Sequence, residues 1–273
     1  MMGEAKRHQY SRAKFLTDHT KCAYCGQDAT TTDHCPPRCF FKGRHWPEGC
    51  EFPACQKCND ETRLDEQGLA LLIRVDLNQP DDSALSDEWV KLAKGVANNQ
   101  PELLRDWSEG RPTERKRLFR KAFGKLGDDL RQDGWTAIKI DGPVTQAMID
   151  RFLLKLAKAI YYRHTNNIFN GVLYTRFNNS LFVDNSEQFI SSILSITPNL
   201  VFSTRNKVDL SDQFFYRYNL TPENDVMFAA GQLGRQFIFE TIALSPESNR
   251  IWEEHRKSAG KSSGSFKRTD CIL

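Results

Sequence analysis

A chain of 273 residues is long enough for a well-buried core and for two domains of ordinary size. Its hydrophobic share of 39% with 27% charged residues matches a water-facing globular protein, and no apolar run approaches the roughly 18 residues that span a bilayer, so a membrane-spanning chain is not expected. The net charge of +3 is too small to mark a nucleic-acid protein on its own, and the charge distribution along the chain is more informative.

Residues Met1 to Leu16 are polar and basic, with no apolar signal core, and the cytoplasm is the expected compartment. Lys6-Arg7-His8 and Arg12-x-Lys14 form a basic lead-in, read as a short helix or an arm able to touch phosphates. Two Cys-x2-Cys pairs follow, Cys22-Ala-Tyr-Cys25 and Cys55-Gln-Lys-Cys58. In a chain without a secretion signal this spacing points to metal ligation in a reducing compartment. Four thiolates in two knuckles suit a tetrahedral Zn2+ ion with sulfurs at about 2.3 Å. Cys35, Cys39, Cys50 and Cys271 remain as buried or indifferent thiols. The 29 residues between Cys25 and Cys55 exceed the spacing of a simple zinc ribbon, so further structure lies between the knuckles.

Thr30 to His34 is β-prone and would deliver Asp33 and His34 at a strand end, with Pro36-Pro37 stopping the strand. Arg38 to Phe41 reads as a turn whose phenylalanines pack on the module, and Glu51 to Pro53 as a second strand. From Cys58 onward the chain reads as one helix with Leu64, Leu69, Leu72, Ile73 and Leu77 along its apolar face. The order is therefore β, β, α around a zinc site.

This arrangement, with Asp33-His34, Pro36-Pro37, Phe52-Pro-Ala-Cys55-x2-Cys58 and Asn59, resembles the zinc-bearing HNH (ββα-metal) endonucleases, and in particular a bacterial HNH group with a downstream α+β domain. The resemblance implies that His34 is the general base, and that Asp33 and Asn59 hold a catalytic divalent ion, Mg2+ or Mn2+. Those residue types suit the chemistry, since an imidazole accepts a proton near neutrality and hard oxygens suit such an ion. The sequence departs from the family at two places. No Asn stands between His34 and Asn59, and Arg63 occupies the position four residues after Asn59 where many members carry His. On a continuous helix Arg63 would lie beside Asn59, where a guanidinium clamps a phosphate oxygen or pairs with Asp60, Asp65 or Glu66.

Beyond Pro80-Asp-Asp-Ser83 the pattern predicts a helix from Ala84 to about Val96, an interrupted stretch over 98–111, and a basic helix carrying Arg111, Arg115, Lys116, Arg117, Arg120, Lys121 and Lys125. Trp135 to Ile140 reads as a strand. Asp141-Gly-Pro143 introduces the strongest amphipathic helix, Val144 to about Arg163, with Val144, Met148, Ile149, Phe152, Leu156, Ala157 and Ile160 toward a core and Arg151, Lys155 and Lys158 on another face. His164 is expected to cap it. Runs at 200–203, 213–219, 226–231 and 235–241 predict an antiparallel meander packed on that helix, whose alternating aromatics are mostly core.

The expected class is α+β, divided into an HNH-like zinc module (1–79), an accessory α+β domain (80–250) and a largely disordered C-terminal segment (251–273). The function expected from the resemblance is metal-dependent hydrolysis of phosphodiester bonds, with nucleic acid, DNA foremost, as partner, and genome defence as one setting. The alternative is a catalytically weak zinc module that only binds nucleic acid or protein.

Overall fold

Thr31–His34 (β1) and Glu51–Ala54 (β2) pair antiparallel, with Thr31 opposite Ala54 and His34 opposite Glu51, as the β-prone runs predict. The computed structural model describes residues 12–74, 83–108, 113, 116–117, 120, 140–179, 186–234, 236–258 and 266–271. The Lys6–His8 lead-in, most of the basic run between 111 and 125, and all but the last residue of the strand expected at 135–140 lie outside the described residues.

After β2, Cys55 caps helix α1 (Gln56–Glu61) by accepting the Cys58 N–H on its sulfur at 3.4 Å. The single helix expected from Cys58 onward is two. Thr62, at φ −102° and ψ 1°, ends α1 and begins α2 (Arg63–Ile73). The Thr62 hydroxyl donates to Glu66 Oε1 at 2.8 Å and accepts from Lys155 Nζ at 2.8 Å, which holds the break in place. Leu69, Leu72 and Ile73 are buried as predicted, but the break leaves Leu64 exposed.

Helix α3 (Ser83–Asn99) is followed at once by α4 (Pro101–Ser108), where an interrupted stretch is expected from the sequence. Leu103 and Trp107 of α4 are buried, and Pro101 at its start needs no N–H partner. Asp106 of α4 caps the next helix, α5 (Pro143–Thr165), by accepting the Thr145 N–H at 2.9 Å and the Thr145 hydroxyl at 2.6 Å. A Cβ on Gly142 would stand 2.1 Å from Asp106 Oδ1, so only glycine fits that entry turn.

The rest of the chain builds a six-stranded antiparallel sheet. Its strands are β3 (Gly171–Asn179), β4 (Asn199–Phe202), β7 (Phe214–Leu220), β8 (Val226–Leu233), β9 (Phe237–Leu244) and β10 (Lys267–Cys271), in the order β10-β3-β9-β8-β7-β4. A short hairpin of β5 (Thr204–Arg205) and β6 (Val208–Asp209) projects between β4 and β7, and helix α6 (Ser186–Ile196) precedes β4. The apolar stripe of α5 packs on β3, β8 and β9, and one buried cluster runs from Tyr24 and Phe52 in the N-terminal cysteine module through Phe152 to Met227 and Phe239 in the sheet. On β3, Leu173 joins that cluster while Val172 and Tyr174 point the other way, toward helix α7 (Pro246–Ser258). There the Tyr174 hydroxyl lies 2.9 Å from Asn249 Oδ1 and 2.6 Å from Glu253 Oε1.

The α+β class and the meander over β7, β8 and β9 match the expectation, and Phe214, Tyr216, Phe237 and Phe239 are core. The C-terminal segment does not. Helix α7 extends to Ser258, and β10 pairs with β3 from Lys267 opposite Thr175 to Cys271 opposite Gly171. Its Lys, Arg and Asp content suits a sheet edge, held by main-chain hydrogen bonds rather than by an apolar face that a sequence pattern would reveal.

Three cations of α5 dock it onto the cysteine module. Lys155, 5% exposed, sits 2.8 Å from Asp33 Oδ2 and 2.6 Å from Glu66 Oε1. Arg151 grips Asp65 with two bonds of 2.7 Å, and Lys158 donates to Tyr24 O at 3.0 Å. Burial opposes the charge on Lys155, but the Asp33 and Glu66 carboxylates outweigh it and hold the ammonium protonated well above the ordinary lysine range. Lys155→Met strands two carboxylates in the interior and is expected to cost about 3–5 kcal/mol, whereas Arg151→Met removes a half-exposed guanidinium from the single buried carboxylate of Asp65 and is expected to cost less. Urea unfolding midpoints of the two variants check this contrast.

His164 is not a charged cap. Its ring stacks on Tyr218 with centroids 3.8 Å apart, Nε2 lies 2.8 Å from the Tyr216 hydroxyl, and Asn166 at φ 54° closes α5. Burial, reinforced by Arg163, pulls His164 down to about 4. The unfolded chain, with His near 6.5, therefore binds the proton first, so this residue's contribution is full above pH ~6.5 and lost as pH falls toward 4. Thermal melts are expected to show a loss of stability across that window which is smaller in His164→Gln.

Candidate metal centre and adjoining cleft

Cys22 and Cys25 lie in a turn closed by Gly26 at φ 74°, whose N–H donates to Cys22 O at 2.9 Å. The Ala23 N–H donates to Pro53 O at 2.9 Å and brings this turn against the Cys55–Cys58 knuckle. All four sulfurs lie within 4.8 Å of one another, with Cys25 Sγ and Cys55 Sγ 3.7 Å apart. A tetrahedral ion with bonds of about 2.3 Å needs sulfur–sulfur edges of about 3.8 Å, so the cluster fits a metal ion such as zinc. Among the described residues no other group of three or more Cys, His, Asp or Glu comes together in this way.

The leftover cysteines behave as expected for spectators. Cys35 and Cys50 are buried, and burial pushes Cys39 up to about 12 and Cys50 up to about 11, with the Arg163 guanidinium 3.2 Å from the Cys50 sulfur.

Successive residues of β1 point to opposite faces of the ribbon. Asp33 turns inward, 5% exposed, where its Oδ2 receives the Tyr24 hydroxyl at 2.7 Å as well as Lys155. His34 turns toward Trp46, with ring centroids 4.5 Å apart and planes at 77°. The guanidinium carbons of Arg38 and Arg205 lie 4.2 Å and 3.5 Å from the Trp46 ring centroid. Arg205 arrives on the β5–β6 hairpin, which is fastened to the loop after Trp46 by Glu48 N–H to Thr204 O at 2.9 Å and by Asn206 N–H to Glu48 Oε1 at 2.7 Å. Burial lowers the His34 pKa, with Glu51 and Asp33 opposing and Arg38 and Arg205 contributing in the same direction, which favours the neutral imidazole.

His34 borders a cleft of about 910 Å³ whose walls include Asp33, Arg38, Arg44, Asp60, Arg63 and Glu66. The carboxylates in and beside it are engaged: Asp33 and Glu66 by Lys155, Asp65 by Arg151, and Asp60 by the Gln56 amide at 2.7 Å. The Arg38, Arg44 and Arg63 guanidinium groups form no hydrogen bond or ion pair with a described residue, and Arg38 Nε is buried without a partner.

Of the residues expected at the site, Asp33, His34 and Arg63 line this cleft and Asn59 does not. The Asn59 amide turns to β1, 3.3 Å from Thr31 Oγ1 and 3.5 Å from Thr32 O. The Thr62 break places Asn59 and Arg63 on different helices, so the shared helical face expected for them is not formed. Asp33 is ion-paired with Lys155 in the interior and the Asn59 N–H side is spent on β1, so the two residues that the resemblance implies as ligands are not brought together on the cleft. Sequence reasoning placed Arg38 in a turn and Lys155 on a basic face of α5 without giving either a role at the site, and it did not single out Arg44 or Arg205. The basic residues Arg38, Lys42 and Arg44 between the knuckles were the available signal for the cleft arginines, and none existed for the distant Arg205.

No protein-family model, curated protein or solved structure matches the chain. No helix among the described residues is long and apolar enough to cross a membrane.

The cluster predicts about one tightly held metal ion per chain. Cys55→Ser should lose it and unfold the zinc module, while Cys50→Ser keeps it, as measured by elemental analysis and thermal melts of the purified variants.

Proposed function

We propose that the chain is a nucleic-acid phosphodiester hydrolase of the zinc-bearing HNH kind, acting foremost on DNA, with a structural Zn2+ at Cys22, Cys25, Cys55 and Cys58. The observation that carries this reading is a histidine whose neutral form is favoured, at the end of a ββα ribbon, bordering a cleft whose arginines form no ion pair with a described residue. His34 takes a proton from water as the water oxygen attacks phosphorus. The bond to the leaving oxygen breaks, and that oxygen is protonated from solvent. Cations facing the scissile phosphate stabilise the charge that develops on it. Arg63, at the mouth of the cleft, is one of them.

A second reading, a module that binds nucleic acid without cutting it, is favoured by the engagement of Asp33 and Asn59 in structural contacts. Plasmid cleavage by the zinc-loaded protein separates the two. Under the first, His34→Ala lowers the rate by about 10²–10⁴-fold with zinc content and melting unchanged. Cleavage that His34→Ala leaves intact ends the assignment of the base, and no cleavage by wild type with retained DNA binding selects the second reading.

A further inference from the structure

We propose that Arg38, Arg44 and Arg63 form a phosphate-binding site in the His34 cleft and take over the charge stabilisation that HNH enzymes obtain from a divalent ion. The catalytic half of this proposal rests on the hydrolase reading, and the binding half does not.

Three independent features point to an anion. Arg38 is held where burial, Arg44 and Arg205 all work against its positive charge, with only Glu51 opposing, and its Nε is buried with no acceptor. Arg38, Arg44 and Arg63 line one cleft without an ion pair to a described residue, and like charges that share a cleft are stabilised by an anion between them. Arg44 stands in the left-handed region at φ 58°, a conformation that costs a non-glycine residue on the order of 1–3 kcal/mol and is found where structure holds a functional side chain. Arg63 is the first residue of α2, an eleven-residue helix, where the helix dipole disfavours a cation and favours an anion. A phosphate oxygen at that point reverses the penalty.

The same geometry makes a poor site for a divalent ion. Such an ion needs several oxygen donors with free charge, whereas Asp33 and Glu66 share Lys155 and only Asp60, hydrogen-bonded to the neutral Gln56 amide, keeps an uncompensated charge among the acids that line the cleft. Guanidinium forks bind phosphate oxygens directly and stay charged at any working pH, so they supply fixed positive charge without metal exchange. The ligand class is thus a phosphate group, carried either by a nucleic-acid strand or by a small phosphate ester.

The test uses the full chain, zinc-loaded, in buffer stripped of Mg2+ and Mn2+, with elemental analysis confirming that zinc is retained. A fluorescein-labelled 12-mer of single-stranded DNA is titrated by anisotropy, and inorganic phosphate by displacement of the 12-mer and by heat of binding. The proposal expects binding without added divalent ion, and a loss of about tenfold or more in affinity for each of Arg44→Met and Arg63→Met, both exposed and compatible with folding. Arg38→Met is expected to act likewise where its melt matches wild type. Loss confined to the 12-mer assigns a strand as the source of the phosphate, and equal loss for inorganic phosphate assigns a small ester. Binding that appears only after Mg2+ or Mn2+ is added, or that the arginine variants leave intact, overturns the proposal. His34→Ala that binds normally but does not cut keeps this site and the hydrolase reading together, while wild type that binds through the arginines but never cuts keeps the site and ends the hydrolase reading.

Discussion

A single buried ammonium group, that of Lys155, determines how the parts of this protein meet. An unpaired charge in a protein interior is costly, so Lys155 is tolerated only because Asp33, Glu66 and Thr62 surround it within 2.8 Å. Those partners come from β1, from α2 and from the break between α1 and α2, so one side chain fixes the ribbon, the helical break and the long helix α5 relative to one another. Because α5 also carries the apolar stripe on which the six-stranded sheet rests, the cysteine module and the sheet share one core.

That arrangement redirects the chemistry of the ribbon. With Asp33 ion-paired from within, the β1 residue turned to the other face is His34, whose ring meets Trp46 edge-on and whose neutral form is favoured by burial. In the cleft it borders, Asp33 and Glu66 share Lys155, while Arg38, Arg44 and Arg63 have no carboxylate partner among the described residues. The β5–β6 hairpin contributes Arg205 to the same Trp46 ring, so the second half of the chain reaches the site.

Much of this was legible in the sequence where a local rule operates. Cys-x2-Cys spacing, the Asp-His strand end, the Pro36-Pro37 stop and the period of Val144 to Ile160 each follow from short-range chemistry, and the metal cluster, the ribbon and α5 stand where those signals put them. What was hidden depends on partners far away. Lys155 reads as one of three solvated cations until Asp33 and Glu66 are placed opposite it. The break at Thr62 needs the same lysine. Strand β10 is charged along its length and owes its place to backbone pairing with β3. Asn59 looks like a ligand because it follows Cys58, and only the fold shows its amide turned to β1.

A double-mutant cycle between Lys155 and Asp33 tests the central interaction most directly. Urea unfolding of the zinc-loaded wild type, Lys155→Met, Asp33→Asn and the double variant gives the coupling between the two side chains free of their separate effects. If Lys155 holds the ribbon through Asp33, the double variant is more stable than the sum of the single losses predicts by about 1–3 kcal/mol. Losses that add to within about 0.5 kcal/mol contradict the account, since Asp33 would then be free of Lys155 and available as a ligand in the His34 cleft.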